Sequence, residues 1–256
     1  MVGPEGAGHR PADTRPLNVA NADNRLLGNA VRACVEEPLS AAISDEQRGF
    51  VPGRSMLANI LDVEEAMQLT ALEHPRGAAW FFDFQAAFPS VAHRFLLRTL
   101  EAAGLPPWLL RFVHNLYENN RCTMVVGGQL HVGFAAKAGI RQGCPLSPIL
   151  FAVAIDILLR KLRRRLPRLL PRAFADDIAT VAPDFTEAAP VLHAMFQSFA
   201  RISGLRLNLP KTVVMPLFRE QPAEVLRQLL QAQPGWGGIR VADHAKYFGI
   251  LHGPRP

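Results

Sequence analysis

Three carboxylates stand where apolar runs stop. Asp83 directly follows Ala78-Ala79-Trp80-Phe81-Phe82, and Asp176-Asp177 separates Ala173-Phe174-Ala175 from Ile178-Ala179-Thr180-Val181-Ala182. Gly77 and Asp83 bound the first run so closely that a buried strand fits it better than a helix. The second pattern reads as a hairpin with both acids at its tip. An Asp-Asp pair in a turn is, taken alone, most simply a solvated surface hairpin. If the two strands are neighbours in one sheet, however, three carboxylates converge and repel, which raises their pKa values unless cations lie between them. Magnesium suits that need, since it takes one or two carboxylates, keeps several waters and completes its shell with phosphate oxygens. Two such ions ~4 Å apart clamp the attacking and leaving oxygens of an in-line phosphoryl displacement.

The elements that must position these acids are legible in outline. Asn24 to Leu39 has helical spacing, Gly49-Phe50-Val51-Pro52-Gly53-Arg54-Ser55 reads as a turn-rich loop, and Met56 to Leu72 as an amphipathic helix. Val91 to Ala103 and Trp108 to Glu118 are expected helices, the latter opened by Pro106-Pro107. Arg121 to Val126 and Gln129 to Phe134, joined by Gly127-Gly128, give the strongest hairpin signal. Gly139 to Pro148 is a loop, with Ser147-Pro148 the expected N-cap and first-turn proline of a long apolar helix ending in Arg160-Lys161-Leu162-Arg163-Arg164-Arg165. Phe185 to Ile202 reads as a helix broken by Gly204, Leu205 to Leu209 as strand-like, Val225 to Leu230 as helical, and Lys246 to Leu251 as a terminal strand. A mixed sheet carrying helices follows.

With 256 residues, 49% of them apolar, the chain can bury a sizeable core in one or two closely packed subdomains. Its net charge of +6 comes almost wholly from arginine, because lysine stands only at Lys137, Lys161, Lys211 and Lys246. That balance suits a phosphate polymer, although the same arginine, alanine and proline excess also follows from a GC-rich coding sequence. Cys34, Cys122 and Cys144 are odd in number and lack zinc-ligand spacing, so reduced intracellular thiols are expected. The Gly- and Pro-rich start, residues 1–14, has no secretory core and is expected to be disordered. The apolar run Ile149 to Leu159 holds Asp156 and falls short of the ~20 residues of a membrane span.

Several local patterns agree in type and order with one family. Phe81-Phe82-Asp83-Phe84-Gln85-Ala86-Ala87-Phe88 resembles the first catalytic motif of the reverse transcriptases of non-LTR, LINE-type retrotransposons. Gly139-Ile140-Arg141-Gln142-Gly143-Cys144-Pro145-Leu146-Ser147-Pro148 is similar to their second palm motif, and Phe174-Ala175-Asp176-Asp177 to their catalytic hairpin. Arg15-Pro16-Leu17 and Gly49 to Ser55 are similar to fingers motifs, Ser203 to Thr212 to the motif after the hairpin, and Lys246-Tyr247-Phe248-Gly249-Ile250 to a primer grip. The resemblance implies an α+β fold with right-hand polymerase fingers and palm, a mixed or antiparallel palm sheet packed on helices, and a thumb largely absent. It places fingers elements at about 15–76 and 104–138 and the palm at about 77–103 and 139–253.

By the same resemblance, Asp83, Asp176, Asp177 and the Phe84 carbonyl bind two Mg²⁺ ions, with Mn²⁺ as a substitute. Phe88 is the sugar gate that favours deoxynucleotides, Gln142 and Gly143 lie against the templating pair, and Lys211 protonates pyrophosphate. Arg54 contacts either the triphosphate or template phosphates, and Arg141, Tyr247 and Gly249 contact nucleic acid. The partners implied are an RNA template, a DNA primer and deoxynucleoside triphosphates, in a nuclear setting. The Arg160 to Arg165 run fits template binding, an import signal or a plain basic helix end that complements the dipole.

The chain departs from many relatives at Phe174, where they carry tyrosine, and at Pro89, where they carry aspartate; neither removes a metal ligand. The match runs from Arg15 to about Leu251, so a thumb and an endonuclease are expected to be absent from this span. A rival reading is therefore an inactive, truncated relic that binds nucleic acid. An RNA-directed RNA polymerase shares the paired aspartates, but Phe88 argues for deoxynucleotides.

Overall fold

The computed structural model describes residues 19–217 and 235–253. The expected disordered start over 1–14, the Arg15-Pro16-Leu17 motif and the expected helix at Val225 to Leu230 lie outside them.

Strand β1 (Ala78–Phe82) is buried along its whole length because it is the middle of a five-stranded sheet with both faces covered. Its neighbours are β5 (Asp177–Ala182), which hairpins with β4 (Leu170–Phe174), and on the other side β6 (Val213–Pro216), which is followed by the short β7 (Arg240–Val241). The order is β4-β5-β1-β6-β7, antiparallel except for the β6–β7 pair. The mixed sheet expected from the sequence is therefore present.

Strand alternation sends Ala78, Trp80 and Phe82 to one face, and Ala79 and Phe81 to the other. The first face packs on α6 (Ser147–Arg165) and α7 (Phe185–Ser203), where Trp80 stacks on Phe185 at 5.5 Å and Phe82 meets Phe196 at 4.3 Å. The second face is covered by α2 (Met56–Glu73) through Ile60, Val63 and Met67. It is also covered by a hairpin of β8 (Ala245–Tyr247) and β9 (Ile250–His252).

Helix α1 (Ala22–Ala42) flanks α6, α4 (His93–Ala102) packs beside α6, and α5 (Pro107–Tyr117) packs on α4. A hairpin of β2 (Met124–Val126) and β3 (Gln129–His131) turns at Gly127 and Gly128, both at positive φ as a two-residue turn demands. Helix α6 is buried at its start and solvated at its end. Of its basic tail, Arg163 binds the buried Glu46 at 2.6 Å, and Arg160 binds the buried Asp156 of the same helix at 2.5 Å.

Four expectations need correction. Ser147 does not cap α6: Leu146 holds that place, and Ser147 is buried in the first turn. The helix expected from Val91 starts only at His93, as α4, because Val91 and Ala92 are extended, and a separate four-residue helix, α3 (Ala87–Ser90), precedes it. Leu205 to Leu209 contributes one bridge, Leu207 to Phe84, while the strand that pairs with β1 is β6. Lys246 to Leu251 is not one strand, since Phe248 and Gly249 both take positive φ and fold it into the β8–β9 hairpin.

The Trp80 side chain is fully buried, so Trp80→Ala should lower the unfolding free energy by about 3–5 kcal/mol. Leu72→Ala, at a side chain 84% exposed, should change it by less than about 0.5 kcal/mol. Urea denaturation measures both.

Candidate active site

The register of β1 with β5 brings the distant acids together. Phe82 pairs with Ile178, so the next residues along the two strands, Asp83 and Asp177, face each other across the end of the ladder. Directly paired residues share a sheet face. Asp176 lies in the two-residue turn between Phe174 and Asp177, which themselves pair. Ala175, the other turn residue, has φ 58°, a left-handed conformation that costs a non-glycine residue about 1–2 kcal/mol.

On the opposite edge of β1, the segment after α7 grips Asp83 by its backbone. The Asp83 N–H donates to the Thr212 hydroxyl at 3.4 Å, and its carbonyl accepts from the Asn208 N–H at 2.7 Å. Gln85 N–H in turn donates to the Arg206 carbonyl at 2.8 Å. Phe84 and Leu207 are thus a pair whose own backbone groups point away from each other. The Phe84 carbonyl is directed to the hairpin side, where the acids stand.

Asp83 and Asp176 are half-buried and Asp177 is exposed at the tip. Even so, the surrounding protein strips enough water from the Asp177 carboxylate to push its pKa up to about 6, and the charges of Asp176 and then Asp83 add to the effect. Among the described residues, no three carboxylate, imidazole or thiolate groups close on a single metal-sized point. The donor set still fits hard divalent cations of the magnesium kind, which take few protein ligands and leave the rest of the shell to water and phosphate.

The remaining expected residues divide. Phe88 lies half-buried after the left-handed Ala86, with its ring stacked on Phe151 of α6 at 4.3 Å and met edge-on by Phe50 at 5.8 Å. The loop with Gln142 and Gly143 is docked against it, for Ile140 N–H donates to the Phe88 carbonyl and Gly139 N–H to that of Val91, each at 2.8 Å. A Cβ at Gly139 would stand 2.7 Å from the Pro89 carbonyl oxygen. Gln142 and Gly143 themselves are exposed, as is Lys211, one residue before Thr212. Gly249 is exposed at the β8–β9 turn.

Three side chains are committed to the protein itself. Arg54 is turned inward and donates to the carbonyls of Ile43 at 2.8 Å, Ser44 at 2.5 Å and Gln47 at 2.6 Å. Tyr247 is buried, its ring 5.4 Å from Phe81, and so anchors the hairpin to the sheet. Arg141 donates to Asn120 at 2.7 Å and has a buried Nε without a hydrogen bond. The sequence reading gave no role to Gln47, which grips Ala175, or to Thr212, which grips Asp83. Their only sequence signal is proximity to the motifs, because both contacts span more than a hundred residues.

A mixed sheet with aspartates on adjacent strand ends and helices beneath defines the palm class of nucleotidyl-transferring folds. The chain matches the family described as "Reverse transcriptase (RNA-dependent DNA polymerase)" over residues 5–250. It belongs to that family. It is 29% identical over 255 residues to the Pol polyprotein of the type-2 retrotransposable element R2DM of Drosophila melanogaster, covering 94% of this chain and 24% of that one. It is 27% identical over 207 residues to the transposon TX1 149 kDa protein of Xenopus laevis, covering 77% and 16%. The non-LTR resemblance of the motifs agrees with both, and the chain spans under a third of either relative. Among solved structures, apo telomerase from Candida tropicalis superposes with a TM-score of 0.56 at 13% identity, over 90% of this chain and 42% of that one. Telomerase from Candida albicans does so with 0.51 at 16% identity, over 78% and 34%. These show a shared fold.

The raised Asp177 pKa has a consequence for stability. Because the folded value of about 6 exceeds the ordinary 3.8, the folded chain holds this proton more tightly than the unfolded chain. The contribution is full below about pH 3.8 and is lost as pH rises to about 6. Without divalent cations at pH 7, Asp177→Asn should therefore melt higher than the unsubstituted chain. Circular dichroism melts should show that gap closing below pH about 4, and closing again when Mg²⁺ is added to the unsubstituted chain.

Proposed function

We propose that this chain is the catalytic portion of an RNA-directed DNA polymerase, adding deoxynucleotides to a primer 3′-hydroxyl along an RNA template. The observation that carries the reading is the placement of Asp83 opposite Asp177 at the end of the β1–β5 ladder, with Asp176 beside them. Membership of the reverse transcriptase family and the R2 and TX1 relatives support it. Residues 15–76 and 104–138 would form the fingers, and 77–103 and 139–253 the palm. A nuclear site of action accompanies this reading; no described helix is long and apolar enough to cross a membrane.

The family uses divalent metal. Asp83, Asp176, Asp177 and the Phe84 carbonyl would hold two such cations, magnesium with manganese as substitute, which when bound neutralise the attacking and leaving oxygens of phosphoryl transfer. The chain's own residues do the rest by placement. Phe88, held between Phe50 and Phe151, sets a rigid ring beneath the sugar of the incoming nucleotide and leaves no space for a 2′-hydroxyl. Gln142 and Gly143 present an exposed turn to the templating base pair, where glycine allows close backbone approach. Lys211 is exposed beside the Thr212 that grips Asp83, and is the proton donor for departing pyrophosphate. Gly249 leaves the tip of its hairpin open to the primer strand, and Arg141 steadies the loop ahead of Gln142 through Asn120.

Primer extension on a homopolymeric ribonucleotide template with Mg²⁺ or Mn²⁺ tests this. Synthesis should occur and should fall at least about 100-fold in Asp176→Asn. Template–primer binding with no synthesis, unaffected by that substitution, would instead assign an inactive nucleic-acid-binding fold. Phe88→Ala should raise ribonucleotide incorporation relative to deoxynucleotide; an unchanged ratio would remove Phe88 from the gating role.

A further inference from the structure

The Ala175–Asp176 turn has a mechanical difficulty. The β4–β5 ladder ends at the Phe174–Asp177 pair, so the backbone groups of Ala175 have no strand partner. Ala175 is itself buried and left-handed, without the freedom glycine would bring. Two like-charged carboxylates follow it and push to open the turn.

Gln47 answers all of this from the loop after α1. Its side chain is fully buried, and its amide meets Ala175 on both backbone groups. Nε2 donates to the Ala175 carbonyl at 3.1 Å, and Oε1 accepts from the Ala175 N–H at 3.0 Å. The same Oε1 accepts from the Gly49 N–H at 2.8 Å. A Cβ at Gly49 would stand 1.9 Å from the Ala175 nitrogen, so the loop is pressed directly on the turn. On either side of Gln47, the Glu46 carbonyl accepts from Ala173 N–H and Arg48 N–H donates to the Ala173 carbonyl, both at 2.8 Å, which covers the free edge of β4. The loop is in turn fixed by Arg54, whose guanidinium binds the Gln47 carbonyl and those of Ile43 and Ser44.

We infer that Gln47 is a positioning residue for the catalytic hairpin, setting the place of Asp176 and Asp177 by clamping Ala175, with Arg54 holding Gln47 from behind. The inference rests on the polymerase reading for its effect on turnover, but the clamp itself does not. Only an amide offers a donor and an acceptor side by side at this length: asparagine is one methylene short, glutamate at neutral pH lacks the donor, and methionine has the volume but neither group.

The test uses the full chain with Gln47→Met and Gln47→Glu. Hydrogen–deuterium exchange of the 173–178 hairpin should speed up about tenfold or more in Q47M, and less in Q47E, which keeps the two N–H acceptor contacts. In primer extension kcat should fall about 10- to 100-fold in Q47M, with a smaller fall in Q47E and with KM for template–primer nearly unchanged. If Q47M does not fold, Q47E carries the test, with faster exchange of the 173–178 hairpin and a reduced kcat in the folded protein. A folded variant of either kind that keeps both the original exchange and the original kcat overturns the inference. If the unsubstituted chain makes no product, the polymerase reading fails while exchange still decides the role of Gln47.

Discussion

Carboxylates gathered in one place repel, and the pairing of β1 with β5 is what holds Asp83 against Asp177 in spite of that repulsion. Five consecutive residue pairs lock the register, and each residue of β1 is buried between two packed layers. A slip of one residue would send Trp80 and Phe82 out of the core beside Phe185 and Phe196, so the hydrophobic core and the acid cluster are fixed by the same alignment. The core thus supplies the free energy that keeps like charges together, while the Asp177 pKa is raised first by the loss of water around its carboxylate and then by the charges of Asp176 and Asp83.

Around this cluster the backbone adopts conformations that its residue types disfavour. Of the non-glycine residues with positive φ among those described, Ala175 makes the hairpin turn, Ala86 starts the turn to Phe88, Phe50 presses its ring on Phe88, and Phe248 meets Phe174. Each must be held by its surroundings. The holding contacts come from segments remote in sequence: Gln47 and Gly49 on Ala175, the 139–140 backbone on Phe88 and Val91, and the 206–212 segment on Asp83 to Gln85. The loops named by the motifs therefore brace one another as well as line the site.

How much of this was readable beforehand follows the range of the interactions. Strand β1 begins and ends where Gly77 and Asp83 said it would, and the Asp176-Asp177 hairpin is set by its flanking apolar runs. Helix α7 stops at the left-handed Gly204, again as local chemistry requires. Strand β6 was not readable, because Val213 to Pro216 is a four-residue run whose strand character comes from lying beside β1. The β8–β9 turn was hidden because Phe248 takes a conformation that its side chain disfavours. The inward contacts of Arg54 were hidden for a related reason, because only the folded chain brings the carbonyls of Ser44 and Gln47 to its guanidinium. Gln47 had only its nearness to the Gly49 to Ser55 loop as a signal, since a buried glutamine is defined by a partner 128 residues away.

The convergence of acids from opposite halves of the chain is tested most directly by counting Mn²⁺ bound to the purified protein by electron paramagnetic resonance. Asp83→Asn should weaken Mn²⁺ binding as severely as Asp177→Asn does, although 94 positions separate the two residues, while Asp62→Asn, at a carboxylate already bound by Arg48 and Arg172, should leave it intact. Binding that survives Asp83→Asn while Asp177→Asn abolishes it would show that the two carboxylates do not share a site.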